Sequence, residues 1–120
     1  MPTFSKKSLD KLATVDRRLY DICSEAIKLT DVVVLCGYRG KEEQEAAFNA
    51  RTSKLHFPDS KHNTSPSQAI DIAPYPIDWD DIERFKRLAI VIKKCASDLN
   101  IGIEHGGDWK MRDWPHWQLL

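Results

Sequence analysis

Two short stretches of this 120-residue chain gather side chains able to hold a metal and move a proton. One runs from Ser60 through His62 to Asp71, as Ser-Lys-His-Asn-Thr-Ser-Pro-Ser-Gln-Ala-Ile-Asp; the other is Asp113-Trp114-Pro115-His116-Trp117-Gln118. Together they offer two imidazoles, a carboxylate inside an apolar run, and a second carboxylate three residues before the last histidine. Catalytic zinc takes three protein ligands from His and Asp/Glu and keeps a fourth position for water. The set has that count. A further carboxylate nearby can accept a proton from the water that the metal acidifies and later donate it to a leaving amine. Asp71 strengthens the reading, because a charge in an apolar strand is expensive unless it is paired or bound to metal. Spacing alone leaves other groupings open, since the chain has four histidines (His56, His62, His105, His116) and eighteen acids. By itself His62 also reads as a solvated loop histidine, and Asp113 as a turn residue before Trp114-Pro115.

These residues need elements to bring them together. Leu12, Val15, Leu19, Ile22, Ala26 and Leu29 recur at spacings of three and four, which predicts one amphipathic helix over about residues 8–29. Val32-Val33-Val34-Leu35-Cys36, ended by Gly37, predicts a buried strand. Lys41 to Arg51, rich in Glu, Gln and Ala, predicts a short helix, so Arg39 falls at a strand-to-helix turn. Between Thr52 and Gln68 the periodicity lapses, and Pro58, Asp59, Ser60, Asn63, Ser65 and Pro66 mark a long surface loop. Ala69-Ile70-Asp71-Ile72-Ala73 alternates around its acid and is bounded by Pro74 and Pro76, the pattern of a short strand. Asp78 is placed to cap another helix, with Ile82, Phe85, Leu88 or Ala89, Ile92, Ala96 and Leu99 as its buried stripe. Strands over about 101–105 and 115–119 flank the turn Gly106-Gly107-Asp108. This order predicts an α+β fold, with helices packed against a small, mainly antiparallel sheet.

Composition narrows the classes. The length suits one compact domain over residues 1–120, and 42% hydrophobic with 30% charged residues favours a packed core over disorder. Eighteen basic residues against eighteen acidic ones leave no net field to gather phosphate backbones, which argues against nucleic acid as a partner. The apolar runs at Val32 to Cys36 and Leu88 to Ile92 fall far short of the roughly 20 residues a membrane helix needs. The N-terminal Met-Pro-Thr-Phe-Ser-Lys-Lys lacks the apolar stretch of a secretory signal and predicts synthesis ending in a cytoplasm. Cys23, Cys36 and Cys95 are odd in number, lie in apolar segments and form no C-x-x-C pair, so they read as buried free thiols and not as ligands. Trp109, Trp114 and Trp117 cluster near the second motif and either line a groove or fill the core.

The two stretches resemble the S-x-H…D and D-x-x-H elements of the zinc D-alanyl-D-alanine and L-alanyl-D-glutamate peptidases, a family that includes many phage endolysins. Gly37-Tyr38-Arg39-Gly40-Lys41-Glu42-Glu43-Gln44 is similar to its G-Y-R-x4-Q segment. The runs from Ile70 to Trp79 and from Gly106 to Trp109 resemble the endolysin branch, and the likeness extends from about residue 8 to the C-terminus. The resemblance implies a hedgehog-like and D-alanyl-D-alanine-peptidase-like fold with one zinc per chain, held by His62, Asp71 and His116. It further implies Asp113 as general acid and base, and Arg39 facing a substrate carboxylate or the developing oxyanion. Ser60 and Gln44 would support the substrate site, while His56 and His105 match no motif.

Two departures are visible. The interval from His62 to Asp71 is longer than the family's commoner one, and Gln118 stands where a Glu often follows the second histidine. The implied activity is cleavage of the peptidoglycan stem peptide between L-alanine and D-glutamate by a monomeric enzyme. Such an enzyme would wait in the host cytoplasm until a separate pore former gives it access to the wall. Rival expectations are a D-alanyl-D-alanine carboxypeptidase, and a catalytically silent, zinc-stabilised wall-binding module, against which Asp113 argues.

Overall fold

A computed structural model describes residues 2–120. Its helices are α1 (Lys6–Leu12), α2 (Arg17–Ala26), α3 (Lys41–Asn49) and α4 (Ile82–Asp98), and its strands are β1 (Val32–Cys36), β2 (Ala69–Pro74), β3 (Ile103–His105) and β4 (His116–Leu119). Single 3₁₀ turns occupy Lys61–Asn63 and Gly106–Asp108. The strands form one antiparallel sheet in the order β1-β2-β4-β3, the α+β arrangement that the element pattern predicts. No helix among the described residues is long and apolar enough to cross a membrane.

Strand alternation gives the sheet two different faces. Val34, Ile70, Ile72, Trp117 and Leu119 point to a core closed by Leu19, Ile22 and Ala26 of α2 and by Leu88, Ile92 and Ala96 of α4. The intervening positions, Asp71 on β2 and His116 and Gln118 on β4, belong to the opposite face. Burial of the first set therefore fixes the face on which the second lies, because a one-residue slip would exchange the faces.

The predicted helix over residues 8–29 is in fact two. Its pattern persists because both helices contribute to one core, with Leu12 buried at the end of α1 and Val15 buried within the break itself. What interrupts it is pairing with the long loop: Asp16 N–H donates to Ser67 O at 2.8 Å, and Ser67 N–H donates to Thr14 O at 2.9 Å. Asp16 then caps α2 by accepting from Arg18 N–H. Leu29 lies beyond the helix and is exposed. The cap of α4 is Asp81, which accepts from Arg84 N–H, and not Asp78, whose carboxylate accepts from Asp80 N–H in the preceding turn. Leu99 likewise falls outside the buried stripe, at the helix end.

Candidate metal centre

Asp71 and His116 are directly opposed residues of β2 and β4, a register that sets their side chains beside each other on the open face. The third member comes from the loop. Ser60 caps the Lys61–Asn63 turn by accepting from His62 N–H, and Asn63 accepts in return from Ser60 N–H, so the turn presents His62 inward. His62 is almost wholly buried.

The three side chains meet at a triangle. His62 Nε2 lies 3.3 Å from Asp71 Oδ1 and 3.3 Å from His116 Nδ1, and His116 Nδ1 lies 3.2 Å from Asp71 Oδ1. Bonds of about 2.0–2.1 Å from a tetrahedral zinc to N and O ligands would separate those ligands by roughly 3.3 Å, so the sides match.

The outer nitrogens determine what faces the centre. His62 Nδ1 is 2.8 Å from Gly37 O, which can only accept, so Nδ1 carries a proton and donates it. His116 Nε2 is 2.9 Å from Gln118 Oε1 and donates there. Each ring thereby turns a lone pair towards the Asp71 carboxylate. Three electron pairs aimed at one point repel unless a cation, either a proton or a metal ion, sits among them.

The electrostatics agree. Burial works to raise the Asp71 carboxyl, but hydrogen bonds and charge from His116 and His62 outweigh it and hold the group well below the usual carboxylate range. At His62 burial works against the charged form, yet the bond to Asp71, helped by Cys36, pushes the imidazole up to about 10. Without metal, a proton supplies the positive charge.

Arg39 sits at the rim. Its Nη2 is 3.5 Å from Asp71 Oδ2 and its Nη1 donates to Gln44 Oε1 at 3.0 Å, while its backbone N–H donates to His62 O at 2.8 Å. Gln44, expected on the substrate, has no atom to offer one. It is fully buried, accepts from Arg39 and Asn63, and donates to Ser53 Oγ and Leu55 O. Ser60 is also buried, with its hydroxyl engaged as the cap of the His62 turn. Both side chains are engaged in bracing the Arg39 guanidinium and the His62 turn.

Asp113 lies in the segment entering β4. Its N–H donates to Gly106 O at 2.9 Å, and its carbonyl accepts from His116 N–H at 3.2 Å. A Cβ at Gly106 would stand 2.4 Å from Asp113 O and 2.9 Å from Asp113 Cβ, so only glycine allows this approach. Burial and the Asp71 charge raise the Asp113 carboxyl above its ordinary value, against the opposing pull of His116, His62 and Arg39. A carboxyl so raised, within electrostatic reach of the triangle, suits proton transfer.

Cys36 enters unannounced by the sequence pattern. Strict alternation from Val32 and Val34 would send it into the core, but the β1–β2 register shifts between Val34 and Cys36 and sets Cys36 opposite Asp71. Cys36, His62 and Asp71 together form a group able to hold a metal ion, with donor atoms within 4.8 Å of one another. Cys36 Sγ lies 3.9 Å from His62 Nδ1 and receives an N–H of Arg39 at 3.8 Å. Cys23 and Cys95 are buried free thiols, as expected.

The other aromatic and imidazole side chains divide between core and site. Trp117 is core, stacked on the buried His105, whose Nε2 donates to Trp114 O at 2.8 Å. Trp109 packs against the His116 ring with centroids 5.1 Å apart. His56 is on the surface, paired with Glu45 at 2.8 Å.

The family model described as phage L-alanyl-D-glutamate peptidase matches residues 2–116. The L-alanyl-D-glutamate peptidase of Escherichia phage T5 is 34% identical over 112 residues, covering 88% of this chain and 80% of that protein. The crystal structure of Serratia marcescens L-Ala D-Glu endopeptidase ChiX is similar with a TM-score of 0.84 at 25% identity, covering 98% of this chain and 90% of that one.

Proposed function

This chain belongs to the phage L-alanyl-D-glutamate peptidase family, and from that premise we propose that it is a zinc endopeptidase of the endolysin type. Its substrate is the peptidoglycan stem peptide, cut between L-alanine and D-glutamate. The observation that carries the metal reading is the convergence of three lone pairs, from His62 Nε2, His116 Nδ1 and Asp71 Oδ1, on a triangle with sides of 3.2–3.3 Å. We assign the third ligand position to His116 and not to Cys36. The thiol approaches His62 at Nδ1, whose proton is already given to Gly37 O.

Zinc bound there supplies Lewis-acid polarisation of the scissile carbonyl and makes an attacking water more acidic. Asp113 takes the proton of that water and passes it to the amine of the departing D-glutamate, so the raised carboxyl serves first as base and then as acid. Arg39 holds Asp71 Oδ2, which leaves Oδ1 for the metal, and its charge favours a substrate carrying carboxylate near the cut. Ser60 and Gln44 keep the His62 turn and Arg39 in place. The enzyme works as one domain and as a monomer. It stays in the host cytoplasm until the membrane is opened by another agent.

The test is digestion of purified sacculi and of a free stem pentapeptide, with mass analysis of fragments and labelling of new amino termini. New D-glutamate termini, lost in chelator and restored by zinc, are expected. Release of free D-alanine without such termini would overturn the endopeptidase assignment, and full activity in excess chelator would overturn the zinc reading.

A further inference from the structure

The sheet face that carries His116 continues past it. On β4, Gln118 lies two residues on, and on β3, Glu104 is directly opposite Gln118. Gln118 Nε2 donates to Glu104 Oε1 at 2.6 Å, and Trp109 Nε1 donates to Glu104 Oε2 at 3.2 Å. Both donors touch His116: Gln118 Oε1 accepts from His116 Nε2 at 2.9 Å, and the Trp109 ring packs on the imidazole. One carboxylate thus directs the two groups that flank this histidine.

We propose that Glu104 is a positioning residue that acts through Gln118 to select the tautomer of His116, an inference that rests on the zinc reading above. An amide can turn either its oxygen or its nitrogen towards a neighbour, and an imidazole Nε2 can meet either. A carboxylate only accepts. Glu104 therefore takes the Gln118 nitrogen, which leaves the Gln118 oxygen for His116; Nε2 must then donate, and the lone pair falls on Nδ1, inside the triangle. Metal-bound histidines commonly give their outer N–H to a carboxylate directly. Here the carboxylate stands one strand further away, and an amide relays its preference.

This wiring makes a reciprocal test available. In Glu104→Gln two amides face each other, either orientation of Gln118 is satisfied, and the constraint on His116 is lost. In Gln118→Glu a carboxylate meets His116 but confronts Glu104 at a contact now 2.6 Å long, a like-charge pair. The double variant Glu104→Gln/Gln118→Glu places a carboxylate directly against His116, where it can only accept, and gives that carboxylate an amide neighbour able to donate.

The experiment measures zinc affinity of wild type, both single variants and the double variant by competition with a chromophoric chelator. Melting of the metal-free proteins is followed in parallel to show that each is folded. Weakening of about tenfold or more is expected in each single variant, with recovery in the double variant to within a few-fold of wild type. Wild-type zinc binding with unchanged affinity in Glu104→Gln, or a double variant no better than the singles, would overturn the relay and leave the zinc site standing. A wild-type protein that binds no zinc would overturn both.

Discussion

Asp113 illustrates how little a residue type says until its neighbours are known. Beside Trp114-Pro115 it reads as an ordinary turn acid, but burial and the nearby Asp71 charge raise its carboxyl. Asp113→Asn should keep fold and metal while turnover falls about 10²–10⁴-fold, the usual worth of general acid–base catalysis. His116→Ala should instead lose the metal. Equilibrium dialysis against zinc, together with initial rates, separates the two, and near wild-type turnover in Asp113→Asn would remove it from the mechanism.

The triangle makes its own prediction about pH in metal-free protein. His62 is raised from 6.5 to about 10, so the stabilisation it contributes is complete below pH 6.5 and lost as pH climbs towards 10. Asp71 is depressed below 3.8, so its contribution is present above pH 3.8 and lost as pH falls further. Thermal melts in chelator should therefore be highest between these limits and decline on the alkaline side. A flat profile from pH 6.5 to 10 would mean that His62 does not hold the proton.

At the scale of elements, the predictions from periodicity hold where a pattern reports burial and fail where the backbone bonds elsewhere. β1, β2, α3 and α4 lie close to their expected spans, because β-branched runs, alternation and helical stripes are direct consequences of facing one core. The single helix over residues 8–29 is not observed, since a hydrophobic stripe says nothing of the Thr14, Asp16 and Ser67 backbone bonds that divide it. The candidate site was legible in His62, Asp71, Asp113 and His116 only when the spacing was joined to a family resemblance. Cys36 and Glu104 were not legible, one hidden by a strand irregularity and the other by cross-strand pairing.

The Gly106–Asp108 turn offers a test of how an element places a site. Gly106→Ala would drive a methyl into Asp113 O and Cβ, with His116 Cβ at 3.1 Å behind them. The change should destabilise the protein by about 1–3 kcal/mol, as overpacking does, and lower kcat more than it raises KM, because it moves Asp113, the residue proposed to transfer the proton. Denaturant melts and steady-state kinetics read these separately; an unaltered kcat with lowered stability would show that the turn supports the fold without positioning Asp113.

Across the whole molecule, the sheet separates what holds the chain together from what it does. Val34, Ile70, Ile72, Trp117 and Leu119 are sealed against α2 and α4 on one face, while Asp71, His116 and the His62 turn assemble on the other. Small zinc domains whose metal replaces a core unfold when it is removed. Here the apolar core contains none of the three proposed ligands. Chelation should accordingly abolish hydrolysis but leave far-UV circular dichroism and a cooperative melt. Zinc should stabilise the folded state by about 2.7 kcal/mol at a hundred times Kd and about 4.1 kcal/mol at a thousand times Kd, so the melting temperature should climb with free metal concentration. The measurement is a melting series in buffered zinc. Loss of the circular dichroism signal on chelation would show that the metal belongs to the folding core, and that the two faces of the sheet are not independent.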